Sequence, residues 1–179
     1  MKRTAVVVAL LLPFVNSAQS TGQIEINAPY VTTPESIVGA MLKLAQVSKD
    51  DLVYDLGCGD GRIVIEAAKR FGARGVGIDI NPERISEARA NARVAGVARL
   101  LKFETGDVLE ADFHSATVVM LYLLPSLNLR LRPKLLKELR PDTRVISHEF
   151  NMGDWVPEKT EVVDGGKIFL WRIPATPER

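Results

Sequence analysis

The sequence predicts an α/β fold: a doubly wound, mostly parallel sheet closed by an antiparallel hairpin. Three observations carry this. Apolar, β-rich runs alternate with segments of helical period from residue 34 onward. The first run, Leu52-Val53-Tyr54-Asp55-Leu56, breaks into glycines at alternate positions, Gly57, Gly59 and Gly61, and a helical period follows. The tail reads as two strands around Asp164-Gly165-Gly166.

The elements follow in order. Thr33 is expected to cap a helix starting at Pro34, with Ile37, Val38, Met41, Leu42 and Ala45 on its apolar face. After the glycine turn, Ile63, Val64, Ala67, Ala68 and Phe71 mark a second helix. Residues 75–80 form a second strand ending at Asp79 and Ile80. Asn81 caps the next helix, Pro82 begins it, Ile85, Ala88, Ala92 and Ala95 face inward, and Gly96 stops it. Residues 100–104 are a third strand, followed by Thr105-Gly106-Asp107-Val108. Residues 116–124 are continuously apolar and read as a central strand ended by Pro125. Residues 128–140 are basic and amphipathic, with Pro133 expected to begin the final helix. That charge run reads as a solvated face or as a dock for an acidic partner or membrane surface. Residues 143–150 are a fifth strand. The stretch before the hairpin contains Gly153 and Pro157, so a helix there is expected to be reduced or absent.

Composition bounds the chemistry. The 179 residues, 46% hydrophobic and 25% charged, suit one domain with a full core. A net charge of +1 gives no general electrostatic case for nucleic acid. A single cysteine, Cys58, excludes an intrachain disulfide framework and a Cys-based zinc site, and no metal is expected. It sits inside the glycine turn, where a small side chain is needed. The first 20 residues have a signal-peptide layout: Lys2 and Arg3, an apolar run, then Ala18-Gln19-Ser20. The domain is then residues 21–179, exported or periplasmic, with no membrane span in the mature chain. The alternative is a cytoplasmic protein with an uncleaved hydrophobic N-terminus.

The turn sets the ligand. Glycine tolerates positive φ and lets a ligand approach the backbone, and the helix N-terminus behind it favours an anionic group. The dinucleotide spacing G-x-G-x-x-G is not met, because Gly61 comes one residue early and Arg62 takes the third position. Asp55 stands just before the turn. A carboxylate there repels a pyrophosphate but accepts hydrogen bonds from an ammonium. Asp79 lies about twenty residues on, where such folds place a carboxylate for ribose hydroxyls.

Asp55-Leu56-Gly57-Cys58-Gly59-Asp60-Gly61 resembles the first motif of class I S-adenosylmethionine-dependent methyltransferases. The resemblance covers residues 29–173. With Tyr30-Val31-Thr32-Thr33-Pro34 and the shortened end, it is most similar to a small subgroup like the protein-lysine methyltransferases of ATP synthase c-subunits. It implies a Rossmann-like seven-stranded sheet and S-adenosyl-L-methionine as cofactor. The implied cofactor-binding set is Tyr30, Asp55, Gly57, Cys58, Gly59, Gly61, Asp79, Ile80, Asp107 and Val108. Within it, Asp107 and Val108 would contact adenine. Residues 29–34 would act as a lid, or as a linker that docks the first helix.

The acceptor motif usual in amine-modifying members is replaced by Leu121-Tyr122-Leu123-Leu124-Pro125, leaving the acceptor as a protein lysine or a small molecule. Tyr122 reads either as an acceptor-orienting group or as a core aromatic with its hydroxyl at the rim. His148, at the end of the fifth strand, reads as a base or as a structural histidine. The sulfonium is already activated, so the protein must supply placement, exclusion of water and loss of a proton from the acceptor. Competing readings are a non-catalytic exported module that keeps the fold and an NAD-dependent oxidoreductase.

Overall fold

A computed structural model describes residues 31–175. The segment read as a signal peptide and Tyr30 lie outside the described residues. The strands are β1 (Leu52–Leu56), β2 (Arg74–Asp79), β3 (Leu101–Thr105), β4 (Val118–Leu121), β5 (Arg144–His148), β6 (Lys159–Val163) and β7 (Gly166–Arg172). The helices are α1 (Glu35–Leu44), α2 (Arg62–Phe71), α3 (Pro82–Val94) and α4 (Pro125–Glu138). The strands form one sheet in the order β3-β2-β1-β4-β5-β7-β6. β1 to β5 run parallel, and β7 pairs antiparallel with both β5 and β6. The expected mostly parallel seven-stranded sheet with a C-terminal antiparallel hairpin is borne out.

Alternation along the strands gives each face its own core. Val53, Val118, Met120, Ile146 and Ile168 face the side covered by α1, α2 and α3. Tyr54, Leu56, Val119, Leu121, Val145 and Trp171 face the other side, against Leu131 and Leu135 of α4, Phe113 and Met152. The sheet order reverses between β1 and β4, so the carboxyl end of β1 opens onto a crevice where such sheets bind ligands. The opposite end is tied shut. Asp51, 5% exposed, receives hydrogen bonds from Thr117 Oγ1 at 2.7 Å and from the Ser48 amide at 2.8 Å, and pairs with Arg144. Burial alone would raise its pKa; these partners hold it below the ordinary carboxylate value.

Three local expectations are corrected. Pro34, not Thr33, is the α1 cap: it keeps an extended ψ of 149°, and its carbonyl accepts from Val38 N. The central strand is confined to β4, and Pro125 opens α4 rather than only ending a strand. Pro133 lies inside α4 instead of starting a helix. Leu131 and Leu135 on either side of it are fully buried. Their burial offsets the broken backbone ladder, which costs about 3 kcal/mol. Between β5 and β6 the described chain has no helix, only a bridge between Met152 and Trp155.

Candidate active site

The glycine turn is stitched to the end of β2. Gly57 N and Cys58 N both donate to the Ile78 carbonyl, at 2.8 and 2.9 Å, and Gly59 N donates to Asp79 Oδ2 at 2.8 Å. Asp79 Oδ1 accepts from Asn81 N at 2.9 Å, so this carboxylate joins the turn to the start of α3. It keeps acceptor capacity beyond these two bonds.

Two glycines are required here. Gly57 has φ +83°, and a Cβ on it would lie 2.7 Å from Leu123 Cδ2. Gly61 has φ +80° as the cap of α2, and a Cβ would meet Phe103 and Ala88 within 3 Å. The early third glycine therefore serves helix–strand packing as well as the turn. Cys58 is buried, and its thiol pKa is pushed up by burial and by nearby Asp55. That suits the packing role expected of it.

Asp55 is the unusual member. It is 2% exposed, and its Oδ2 is buried with no hydrogen-bond partner. Burial, with the charges of Asp79 and Asp60 behind it, pushes its pKa up to about 8. It lines a small pocket of about 30 Å³ together with Val31, Thr32, Thr33, Gly57, Cys58, Gly59, Asp60, Arg62, Ile63 and Tyr122. Arg62 sets one wall: its guanidinium pairs with Asp60 at 2.7 Å and donates to the Thr33 carbonyl at 2.9 Å. The lead-in to α1 is thereby held beside the glycine turn. Neither Asp60 nor Arg62 stands out in the sequence as a wall of the site. The only signal is Arg62 in the position where a third glycine would stand.

The remaining expected residues occupy neighbouring strand ends. Ile80 is half-buried directly after β2. Asp107 and Val108 follow β3, with Val108 buried and Asp107 Oδ1 accepting from Leu109 N at 2.9 Å. Gly106 N donates to the Asp79 carbonyl at 3.0 Å, which ties this loop to the end of β2. Tyr122 follows β4 and packs on His148 at the end of β5, ring centroids 4.2 Å apart. Phe150, which no sequence signal marks, stacks on Tyr122 at 6.3 Å. His148 is buried, and burial lowers its pKa, so the imidazole is neutral at physiological pH. Among the described residues no cluster of His, Cys, Asp or Glu could hold a metal, and no helix is long and apolar enough to cross a membrane.

A sheet in this order, with a glycine turn at its switch point and a carboxylate at the end of each of the next two strands, defines an S-adenosylmethionine-dependent methyltransferase. The chain belongs to the ANTKMT methyltransferase domain family, whose model matches residues 55–159. It is 50% identical over 143 residues to a protein-lysine N-methyltransferase of Saccharolobus islandicus, covering 79% of this chain and 89% of that one. It is 32% identical over 170 residues to the human lysine N-methyltransferase of the ATP synthase c-subunit, covering 95% of this chain and 70% of the other. Among solved structures, it matches an RNA methyltransferase from Salinibacter ruber in complex with S-adenosyl-L-homocysteine. That match has a TM-score of 0.81 and 53% identity, over 82% of this chain and 95% of that one.

Proposed function

We propose that this enzyme transfers methyl groups to lysine side chains of a protein. The carrying observation is the unpaired, buried Oδ2 of Asp55 beside the glycine turn, with Tyr122 on the same pocket and a neutral His148 packed behind it. Relatives named as lysine methyltransferases support the acceptor class.

S-adenosylmethionine supplies a methyl group already activated on a sulfonium. Its amino-acid end fits this pocket: an ammonium gives Asp55 Oδ2 the donor it lacks, and the Gly57 and Gly59 backbone leaves room for the chain behind it. Asp79, next to Ile80, would accept from the ribose hydroxyls, and Asp107 with Val108 would hold the adenine. Val31, Thr32 and Thr33 line the pocket, with the Thr33 carbonyl held by Arg62, and would limit water around the bound methyl donor. Tyr122 orients the acceptor. His148 takes a proton from the acceptor ammonium, because only the neutral amine carries a lone pair.

The test is transfer of labelled methyl from S-adenosylmethionine into a cell lysate, followed by acid hydrolysis. Label in methyl-lysine, removed by protease, is expected. The Salinibacter ruber relative favours a second acceptor, RNA. Label removed by ribonuclease would select it and overturn the lysine reading.

A further inference from the structure

Residues 31–33 lie beside the glycine turn on a slender tie. Among the described residues, their one hydrogen bond runs from Arg62 Nη1 to the Thr33 carbonyl, at 2.9 Å. Val31 is 56% exposed. Behind Pro34 the chain is fixed, because Ile37, Val38, Met41 and Leu42 of α1 are buried in the first core. The Arg62 guanidinium is itself aimed: Nε and Nη2 donate to the Asp60 carboxylate at 3.0 and 2.7 Å. The Asn91 side chain donates to the Asp60 carbonyl at 3.1 Å, which ties the pair to α3. Burial alone would raise the Asp60 pKa; Arg62 holds it below the ordinary carboxylate value, so both partners are charged at neutral pH. Two cavities meet at this pair. On the glycine side is the pocket of about 30 Å³, room for about two waters. On the other side, between α1, α2 and α3, is a cavity of about 330 Å³ lined by Glu35, Glu66, Lys69 and Asn91 among others.

We propose that Arg62 is a positioning residue that latches residues 31–33 as a strap over the methyl donor, and that the strap opens each time the donor enters or its product leaves. This rests on the donor pocket and not on the lysine reading above. The small pocket is too tight for the donor's amino-acid end, which carries an ammonium, a carboxylate and the carbon chain between them. Residues 31–33 are the wall that can give way, since one hydrogen bond holds them and the strand ends and α1 are packed. The larger cavity gives the guanidinium room to turn from the Thr33 carbonyl toward the Glu35 and Glu66 carboxylates. A latched strap slows entry as well as escape, because both pass through the open form. The latch is present with and without ligand, so it sets rates more than affinity.

The test is the association and dissociation rates of S-adenosylhomocysteine with the full chain, read by surface plasmon resonance. Arg62→Met keeps the apolar stem and removes every donor. It is expected to raise both rates about tenfold, the worth of one charge-assisted hydrogen bond, with Kd nearly unchanged. Arg62→Lys keeps a donor for the Thr33 carbonyl but loses the fork on Asp60, and its two rates are expected to fall between those of wild type and Arg62→Met. Circular dichroism and thermal melts verify the fold of each variant; should Arg62→Met not fold, Arg62→Lys carries the test with both rates above wild type. Faster dissociation with unchanged or slower association would make Arg62 a plain ligand contact and overturn the proposal. Rates equal to wild type in a folded variant would overturn it too. Failure of the lysine reading looks different: no label in lysine, with both rates of the variants raised as expected.

Discussion

Asp55 is where stability and binding pull in opposite directions. Its pKa rises from the ordinary 3.8 to about 8 because burial penalises its charge. Between those values the folded chain holds a proton that the unfolded chain has released. Stability is therefore expected to fall as pH rises from about 4 to about 8. Asp55→Asn removes the penalty. It is expected to raise the melting temperature at pH 8.5 by on the order of 5 °C over wild type, to change little near pH 4, and to abolish cofactor binding. Parallel thermal melts at the two pH values check this. A variant melting below wild type at pH 8.5 would contradict the assignment. In the sequence, Asp55 is legible as an ammonium acceptor from its place before the turn. Its lack of any partner is not legible, because that depends on which groups β2, β4 and residues 31–33 bring to the same point.

At the scale of elements, strands and glycine turns read most clearly from sequence. Their signals are local: β-branched runs, three glycines and an Asn-Pro helix start, whose Asn81 side chain accepts from Glu83 N. What escapes the sequence is decided by packing across the sheet. Pro133 has the look of a helix start, yet α4 runs through it because Leu131, Leu135 and Leu139 bury against the second core. Pro133→Ala restores a backbone donor on an exposed face. It is expected to stabilise the protein by about 2 kcal/mol, read as a rise in the urea midpoint with an unchanged m value. A drop in the midpoint would show that the proline is built into the helix geometry. The same logic explains Arg62. Nothing local says that its guanidinium will reach the Thr33 carbonyl, twenty-nine positions away.

At the scale of the whole molecule, the sheet order places the ends of five parallel strands along one edge of the crevice. β1 brings Asp55 and the turn, β2 brings Asp79, β3 leads to Asp107, and β4 and β5 lead to Tyr122 and His148. The far end, held by Asp51, Thr117 and Arg144, carries none of the candidate residues. Rigid strands with short exits keep these groups in register, which is what placement-driven methyl transfer needs. Every assigned role depends on one cofactor pocket. Its most direct measurement is the thermal shift given by S-adenosylhomocysteine to wild type and to Asp79→Ala, whose unliganded fold is verified by circular dichroism. At a hundredfold excess over Kd, wild type is expected to gain about 2.7 kcal/mol, a rise of about 5–10 °C, and Asp79→Ala almost none. An equal shift in both proteins, or no shift in wild type, would contradict it.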